Sequence, residues 1–319
     1  MTLLRNKFLL LLLCLLTVCP ARAGLFGIAP KDRQEFVQAR SLYEQGQYEQ
    51  AVTALSAYIY KTEKIKRREA RAYRLLGLSY EQLNKPGKAL ETYLEALEFH
   101  HKNIPLLLAA AALYQRTQLL DRSIDLYNRV LELESDNTEA LAGQAVNYLR
   151  MGFYSKSRQY FDRFFALNPQ APANYRAGYA YAFFKQRDFE NAFINITMAK
   201  TEDMANPAYW LLSAQAYKEL GQMEEALADL DIAAQLTPQN ENLRVIKTMW
   251  LYQYGDKAAS LQAARELLKE NPQNELALFM VYMNLKDDKP KEARKALQQI
   301  KAQGNDSFAR RVAEKILGK

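Results

Sequence analysis

One spacing pattern, recurring along the chain, limits the possible fold more than any other feature. In residues 207–240 it runs through Trp210, Ala214, Tyr217, Ala226, Leu230, Ala233 and Pro238. The intervals are four, three, nine, four, three and five. Steps of three and four keep side chains on one helical face, and the step of nine crosses a turn. Gly221-Gln222 falls in that gap, where a helix stops. The unit is two antiparallel helices and a short turn, about 34 residues long. Further copies run through Ala39, Leu42, Ala51, Leu55 and Tyr58; Tyr73, Gly77, Tyr80, Ala89, Tyr93 and Ala96; and Leu107, Ala111, Tyr114, Ser123, Tyr127 and Val130. The next are Leu141, Ala145, Tyr148, Ser157, Phe161, Phe164 and Pro169, then Ala180, Phe183, Ala192, Ile196 and Ala199. Two weaker copies pass through Leu251, Ser260, Leu267 and Pro272, and through Val281, Ala293, Leu297 and Ile300.

Units start near Asp32, Ala70, Ile104, Thr138, Ala173, Pro207, Glu241 and Glu275, spaced 38, 34, 34, 35, 34, 34 and 34 residues apart. Hairpins that stack with a constant rotation tolerate insertions only in turns. The four extra residues of the first unit fall near Lys61–Arg68, in its second helix or the turn after it. In the seventh unit Thr248 and Ala264 stand where a small and a large residue are expected, and Pro290 shortens the eighth turn by about one residue. Gly77, Ala111, Ala145, Ala180 and Ala214 mark the closest approach of the two helices, with Tyr80, Tyr114, Tyr148, Phe183 and Tyr217 one turn on.

This pattern resembles the tetratricopeptide repeat (TPR) family, with a large, a small and an aromatic residue on the first helix. The second helix carries small, large and small residues, and Pro closes the unit. The expected fold is all-α: a right-handed α-solenoid of about eight helix-turn-helix units over residues 32–304. Residues 305–319 form a capping helix, with Asp306 or Ser307 as its cap. Phe308, Val312, Ile316 and Leu317 are its expected packing stripe, and Arg310, Arg311, Glu314 and Lys315 its wet face.

Residues 1–23 read as a secretory signal peptide: Arg5 and Lys7, an apolar run from Phe8 to Val18, and an Ala21-Arg22-Ala23 cleavage site before Gly24. Residues 24–31 are a lead-in. The run is short of the ~20 residues a membrane-spanning helix needs. The expected location is therefore export to the bacterial periplasm. Leu16-Thr17-Val18-Cys19 also resembles a lipobox, so the alternatives are a lipoprotein tethered through Cys19 and full secretion. Both cysteines, Cys14 and Cys19, lie in this segment, which leaves the remainder without a thiol. The net charge is +7, and without Arg5, Lys7 and Arg22 it is +4, too small to argue for nucleic acid.

Little in the chain carries chemistry. The two histidines, His100 and His101, are adjacent and do not share a helical face. No H-E-x-x-H, G-x-x-x-x-G-K-[ST], G-x-S-x-G or G-x-G-x-x-G occurs. The acidic pairs Glu224/Glu225 and Asp229/Asp231 read as solvated outer surface. Asn195-Ile196-Thr197 and Asn305-Asp306-Ser307 match the glycosylation sequon, and Asn195 is a poor acceptor in mid-helix. The expectation is a protein that is not an enzyme, with no cofactor and no metal.

A solenoid of hairpins is lined inside by its first helices. The repeat phase points Arg71 and Arg74 inward in the second unit, Leu108 in the third, Val146 in the fourth, and Tyr181 and Phe184 in the fifth. Lys218 follows in the sixth unit, then Met249 and Tyr252, then Phe279 and Met283. Apolar side chains without a packing role mark an interaction site. The reading is a scaffold or adaptor of the cell envelope that binds a peptide or helical segment of a partner protein. The alternative is a glycan- or lipid-binding module of an export system, holding anionic polysaccharide or lipid headgroups through Arg71, Arg74 and neighbouring basic residues. Some TPR proteins grip a chaperone's terminal carboxylate with Lys and Asn on this face; Arg74, Leu78, Leu108 and Ala112 do not supply that set.

Overall fold

The structure is a computed structural model that describes residues 30–64, 69–303 and 307–318. The leader with its two cysteines, residues 24–29 of the lead-in, and Asn305 and Asp306 of the second sequon lie outside these residues. Among the described residues are seventeen helices and no strand. They alternate as first and second helices of successive hairpins. These are α1 (Pro30–Glu44) with α2 (Tyr48–Lys64), α3 (Ala70–Gln82) with α4 (Pro86–Phe99), and α5 (Ile104–Arg116) with α6 (Leu120–Leu133). Next come α7 (Thr138–Arg150) with α8 (Tyr154–Leu167), α9 (Ala173–Lys185) with α10 (Phe189–Glu202), and α11 (Pro207–Glu219) with α12 (Met223–Leu236). Then follow α13 (Glu241–Tyr254) with α14 (Lys257–Glu270), α15 (Glu275–Leu285) with α16 (Pro290–Ala302), and finally α17 (Phe308–Leu317). The extra length of the first unit enters α2, which has 17 residues where α4, α6 and α8 have 14.

The helices fall into two compact bodies, one ending at Ser135 with α1–α6 and one beginning at Asp136 with α7–α17. Nothing in the repeat period marks that division.

The turns inside the hairpins repeat a single geometry. The fifteenth residue of the first seven units takes a left-handed backbone: Gly46, Asn84, Gln118, Gly152, Arg187, Gly221 and Gly255. In six of them the next amide reaches back to a carbonyl on the first helix, as in Lys85 N to Tyr80 O (2.9 Å) and Gln222 N to Tyr217 O (2.9 Å). This satisfies the carbonyls that a helix end leaves open. First helices are opened by side-chain caps: Asn103, Asn137, Asn206 and Asn274 each accept from an amide of the first turn. In the eighth hairpin α16 starts one residue early, on Pro290, because a proline is pre-shaped for a helix start.

Packing follows residue size. The second-helix trios such as Ala89, Tyr93 and Ala96, or Ala226, Leu230 and Ala233, are fully buried. A Cβ added at Gly77 would fall inside the Tyr93 ring, so only glycine fits there. Where the facing residue is Ile196 or Leu230, alanine suffices at Ala180 and Ala214. The seventh unit exchanges the sizes: Thr248 is the larger and Ala264 the smaller, and both are wholly buried. That is a volume-conserving swap, which cores accept. Three serines tie the same approach by donating to a first-helix carbonyl: Ser123 to Ala111 (2.8 Å), Ser157 to Ala145 (2.8 Å) and Ser260 to Thr248 (2.9 Å).

The last helix corrects an expectation. Ser307 caps α17 by accepting from the Arg310 amide. Its buried residues, however, are Ala309 and Ala313, while Phe308 and Ile316 are exposed and Val312 and Leu317 half-buried. Alanines let α17 lie close to α15 and α16, and that proximity turns Phe308 outward.

Candidate interaction surface

In the second body the first helices are neighbours: α7 touches α9, α9 touches α11, and α13 touches α15. Of the side chains expected on this face, Tyr181 and Met249 are each 39% exposed. Val146, Phe184, Lys218, Tyr252, Phe279 and Met283 are half-buried. Tyr181 meets Tyr154 edge to face at 6.2 Å. The ammonium of Lys185 lies 5.6 Å from the Tyr181 ring centre and 5.8 Å from that of Tyr154. One unit on, Lys218 lies 5.1 Å from the Trp250 ring. Two cations on this face are thus held by aromatic faces, which attract them through the ring quadrupole.

Several of these residues also serve the interior, which the repeat phase does not reveal. Phe184 packs on the cluster of Ala180, Ile196 and Ala199, and meets Phe189 at 5.4 Å. Tyr252 and Phe279 pack on the cluster around Leu278, Val281 and Leu297. Val245, on the same helix as Met249, is buried outright. Tyr181 and Met249 are the apolar side chains expected on this face that reach furthest to the surface.

In the first body Arg71 and Arg74 are exposed, whereas Leu108 is buried and is a packing residue. Neither arginine forms an ion pair among the described residues. The nearby carboxylate of Glu81 is already engaged: it accepts from the Tyr93 hydroxyl (2.6 Å) and from Arg116. Burial pushes the Tyr93 and Tyr43 hydroxyls above the ordinary tyrosine range, and the charge of Arg74 works against this shift in both.

The acidic residues of α12 are a further correction. Glu224 and Glu225 are exposed, but Asp229 is buried. Its carboxylate accepts from Lys200 of α10 at 2.7 Å, with the two side chains 10% and 12% exposed. Lys200 also donates to Ser213 of α11 (2.9 Å) and lies 4.4 Å from the Trp210 ring. Asp231 is half-buried and pairs with Lys247 at 2.6 Å. Burial, with the Asp229 charge second, raises the Tyr217 hydroxyl. A single helix period cannot disclose the pair, because Lys200 stands a whole unit before its partner. Lys185 and Tyr154 are likewise not singled out by the repeat phase, although Lys185 directly follows Phe184.

Among the described residues, no group of three or more His, Cys, Asp or Glu is placed to hold a metal ion. No helix among them is long and apolar enough to cross a membrane.

Comparison with known proteins agrees with the hairpin geometry. A tetratricopeptide repeat model matches residues 36–103 and 142–207, and a second one matches 207–240, together more than half of the chain. The chain belongs to the tetratricopeptide repeat family. It is 27% identical over 181 residues to tetratricopeptide repeat protein 8 of Caenorhabditis elegans, a match covering 55% of this chain and 36% of that protein. The chain spans about a third of the length of the curated relatives it matches. A tetratricopeptide repeat protein from Parabacteroides merdae superposes with a TM-score of 0.56 at 19% identity, over 80% of this chain and 98% of that one. YrrB, described as a TPR protein with an unusual peptide-binding site, superposes at 0.53 and 16% identity, over 59% of this chain and 97% of its own. At these identities the two structures establish a shared fold and no shared ligand.

Proposed function

We propose that this TPR protein is a non-catalytic scaffold of the bacterial envelope, exported to the periplasm, that holds an apolar segment of a partner protein on the first-helix face of its second body. The observation that carries the reading is the exposed row of Tyr181 and Met249, flanked by Lys185 and Lys218 on aromatic supports. Tyrosine and methionine anchor partners well, since one is rigid and amphipathic and the other adapts its shape. YrrB, described as having a peptide-binding site, supports the view that a protein of this fold can take a peptide. Export rests on the leader-like residues 1–23.

The test is crosslinking pull-down from envelope fractions with the chain from Gly24 onward, comparing wild type with Tyr181→Ala/Met249→Ala. The expected outcome is loss of the specifically captured proteins, about tenfold or more, at unchanged helical content. Recovery of the same proteins with both baits refutes the assigned face. N-terminal sequencing of the protein from cells checks export: a start at Gly24 agrees with it, a blocked Cys19 means a lipid anchor, and an intact Met1 refutes cleavage.

A second reading has its own observation. Arg71 and Arg74 are exposed cations without an acid partner among the described residues, which suits anionic polysaccharide or lipid headgroups. It requires retention on such a polymer or on anionic vesicles that falls steeply with salt and disappears in Arg71→Ala/Arg74→Ala.

A further inference from the structure

The fourth hairpin holds a recess of about 260 Å³ lined by Tyr148 of α7 and by Lys156, Gln159, Tyr160 and Arg163 of α8. Lys156, Tyr160 and Arg163 are four and three residues apart, so they share one stripe of the helix. The two tyrosine rings are half-buried and stack at 5.6 Å, 11° from parallel. The Lys156 ammonium lies 5.2 Å from the Tyr148 ring centre and 6.0 Å from that of Phe153, which holds it beside the recess. Burial, with Tyr148 second, raises the Tyr160 hydroxyl above the ordinary tyrosine range, against the charge of Arg163. At neutral pH that hydroxyl is therefore a protonated donor.

Every side chain of this lining can donate a hydrogen bond, and none is an acid. Among the described residues the Tyr148 and Tyr160 hydroxyls, the Gln159 amide and the Lys156 ammonium have no hydrogen-bond partner and no ion pair. Arg163 lies 3.9 Å from Asp136, whose side chain is 74% exposed, and an exposed pair of that length contributes little. Asp162, the neighbour of Arg163 in the chain, is engaged elsewhere, accepting from the Tyr179 hydroxyl. The same places in other units are built differently. The second unit has Tyr80, Lys88, Glu91, Thr92 and Glu95, and the third has Tyr114, Arg122, Asp125, Leu126 and Arg129. Acids there offset the cations and the second tyrosine is missing. The fifth unit has Asn191 and Met198 in place of the two cations, and the sixth has Glu225 and Ile232.

We infer that the recess between Tyr148 and α8 is an anion site that takes a phosphate monoester group, carried by a small soluble compound or by a lipid headgroup. The match is one of charge and of shape. Two cations face a group that is mostly doubly charged at neutral pH, since its second ionisation lies near 6. A phosphate presents three terminal oxygens in different directions, and the recess offers two phenolic hydroxyls, an amide, an ammonium and a guanidinium to meet them. A planar carboxylate, with two oxygens and one charge, would leave part of this set unused. The site draws on none of the residues assigned above to a partner protein or to an anionic polymer.

Isothermal titration calorimetry of the chain from Gly24 onward, with inorganic phosphate and with glycerol 3-phosphate at about 0.1–10 mM, tests the inference. Flotation with phosphatidylcholine vesicles, with and without phosphatidic acid, tests the lipid source. Wild type is expected to bind at least one of the three phosphate probes. Binding of a soluble probe assigns the site to a free phosphate compound, and binding of phosphatidic acid vesicles alone assigns it to a headgroup; either outcome supports the site. Tyr148→Phe/Tyr160→Phe keeps both rings and is expected to weaken binding about tenfold or more. Lys156→Gln/Arg163→Gln changes two exposed side chains and is expected to do the same, with circular dichroism checking that the helices are unchanged. Arg71→Ala/Arg74→Ala is expected to bind as wild type does. A wild type that binds none of the three probes overturns the inference, even if it captures a phosphopeptide. Undiminished binding in either folded variant of the recess overturns it as well, as does binding that is lost in Arg71→Ala/Arg74→Ala.

Discussion

Replacing Asp229 with alanine gives the sharpest test of how successive units are locked together. The change leaves the Lys200 side chain, only 12% exposed, with its counter-charge removed. Stranding one member of a buried pair costs about 3–5 kcal/mol. Two neighbours soften that figure: the Ser213 hydroxyl at 2.9 Å and the Trp210 ring at 4.4 Å still face the cation. A desolvated cation–π contact contributes about 2 kcal/mol, but it is present before and after the change. Water admitted into the space the carboxylate vacates lowers the cost further, so about 2–4 kcal/mol is the expected destabilisation. At about 2–4 °C per kcal/mol for a body of this size, melting falls by about 4–16 °C. Urea unfolding followed by tryptophan fluorescence is suited to the measurement, since Trp210 sits on the pair and Trp250 is the one other tryptophan. Lys200→Met/Asp229→Ala completes the cycle: with no ion left to bury, the double variant should be more stable than Asp229→Ala alone. A loss below about 0.5 kcal/mol for Asp229→Ala, or a double variant as unstable as the two single losses added, would refute the claim that the buried charge is what matters.

Gly77→Ala forces a methyl group into the Tyr93 ring and should cost about 1–3 kcal/mol by thermal melting; Gly77→Ala/Tyr93→Leu, which copies the Ala214–Leu230 pairing of the sixth unit, should recover part of it. The raised hydroxyls of Tyr43, Tyr93 and Tyr179 give an alkaline limit. Their neutral forms support the fold below the unfolded tyrosine value near 10, and that support is lost as pH rises above it towards the folded values. Melting followed by circular dichroism from about pH 8 to 11 should show stability falling above about 10, and less steeply in Tyr93→Phe.

The hairpins are legible in the sequence because their spacing is a packing rule: two helices approach only where one side offers Gly or Ala, and the gap of nine is the length of the turn. The same rule explains the seventh unit, whose Thr248 and Ala264 look like departures until their sizes are added across the contact. What is not legible depends on groups far apart in the chain. Asp229 borders the buried Leu230, and a one-helix view assigns it to solvent because Lys200 is not in view. Phe184, Tyr252 and Phe279 occupy first-helix face positions yet pack on core clusters, so residue type alone cannot separate anchors from filler. In α17 size misleads in the other direction: Phe308 is expected inside because it is large and apolar, and the helix turns to bury Ala309 and Ala313 instead.

The buried and half-buried charges point to a problem that every tandem array must solve. Identical hairpins with identical apolar seams would stack equally well in any order or with units skipped. In the second body, first helices carry polar side chains at the fourth or seventh residue: Arg176, Ser213, and Arg244 with Lys247, where the second and third units have Tyr73, Leu76, Leu107 and Ala110. Each of these side chains is matched by a particular neighbour. Between hairpins, Ser213 accepts from Lys200 and Lys247 meets Asp231 at 2.6 Å; within their own hairpins, Arg176 meets Glu202 at 3.4 Å and Arg244 holds Glu270 through two bonds of 2.8 Å. That last contact lowers the Glu270 carboxyl below its ordinary range. A hydrophobic residue at any of these places would bury more apolar surface, and ion pairs of this kind are a poor source of net stability. Their effect is on choice where the pair crosses between hairpins: a hairpin stacked out of order leaves Lys200, Asp229, Asp231 or Lys247 without its partner, which penalises the wrong stack more than it strengthens the right one. The order of units is thereby specified in the part of the chain that also carries Tyr181 and Met249, where a row of anchors is useful to a partner only if successive units keep their places.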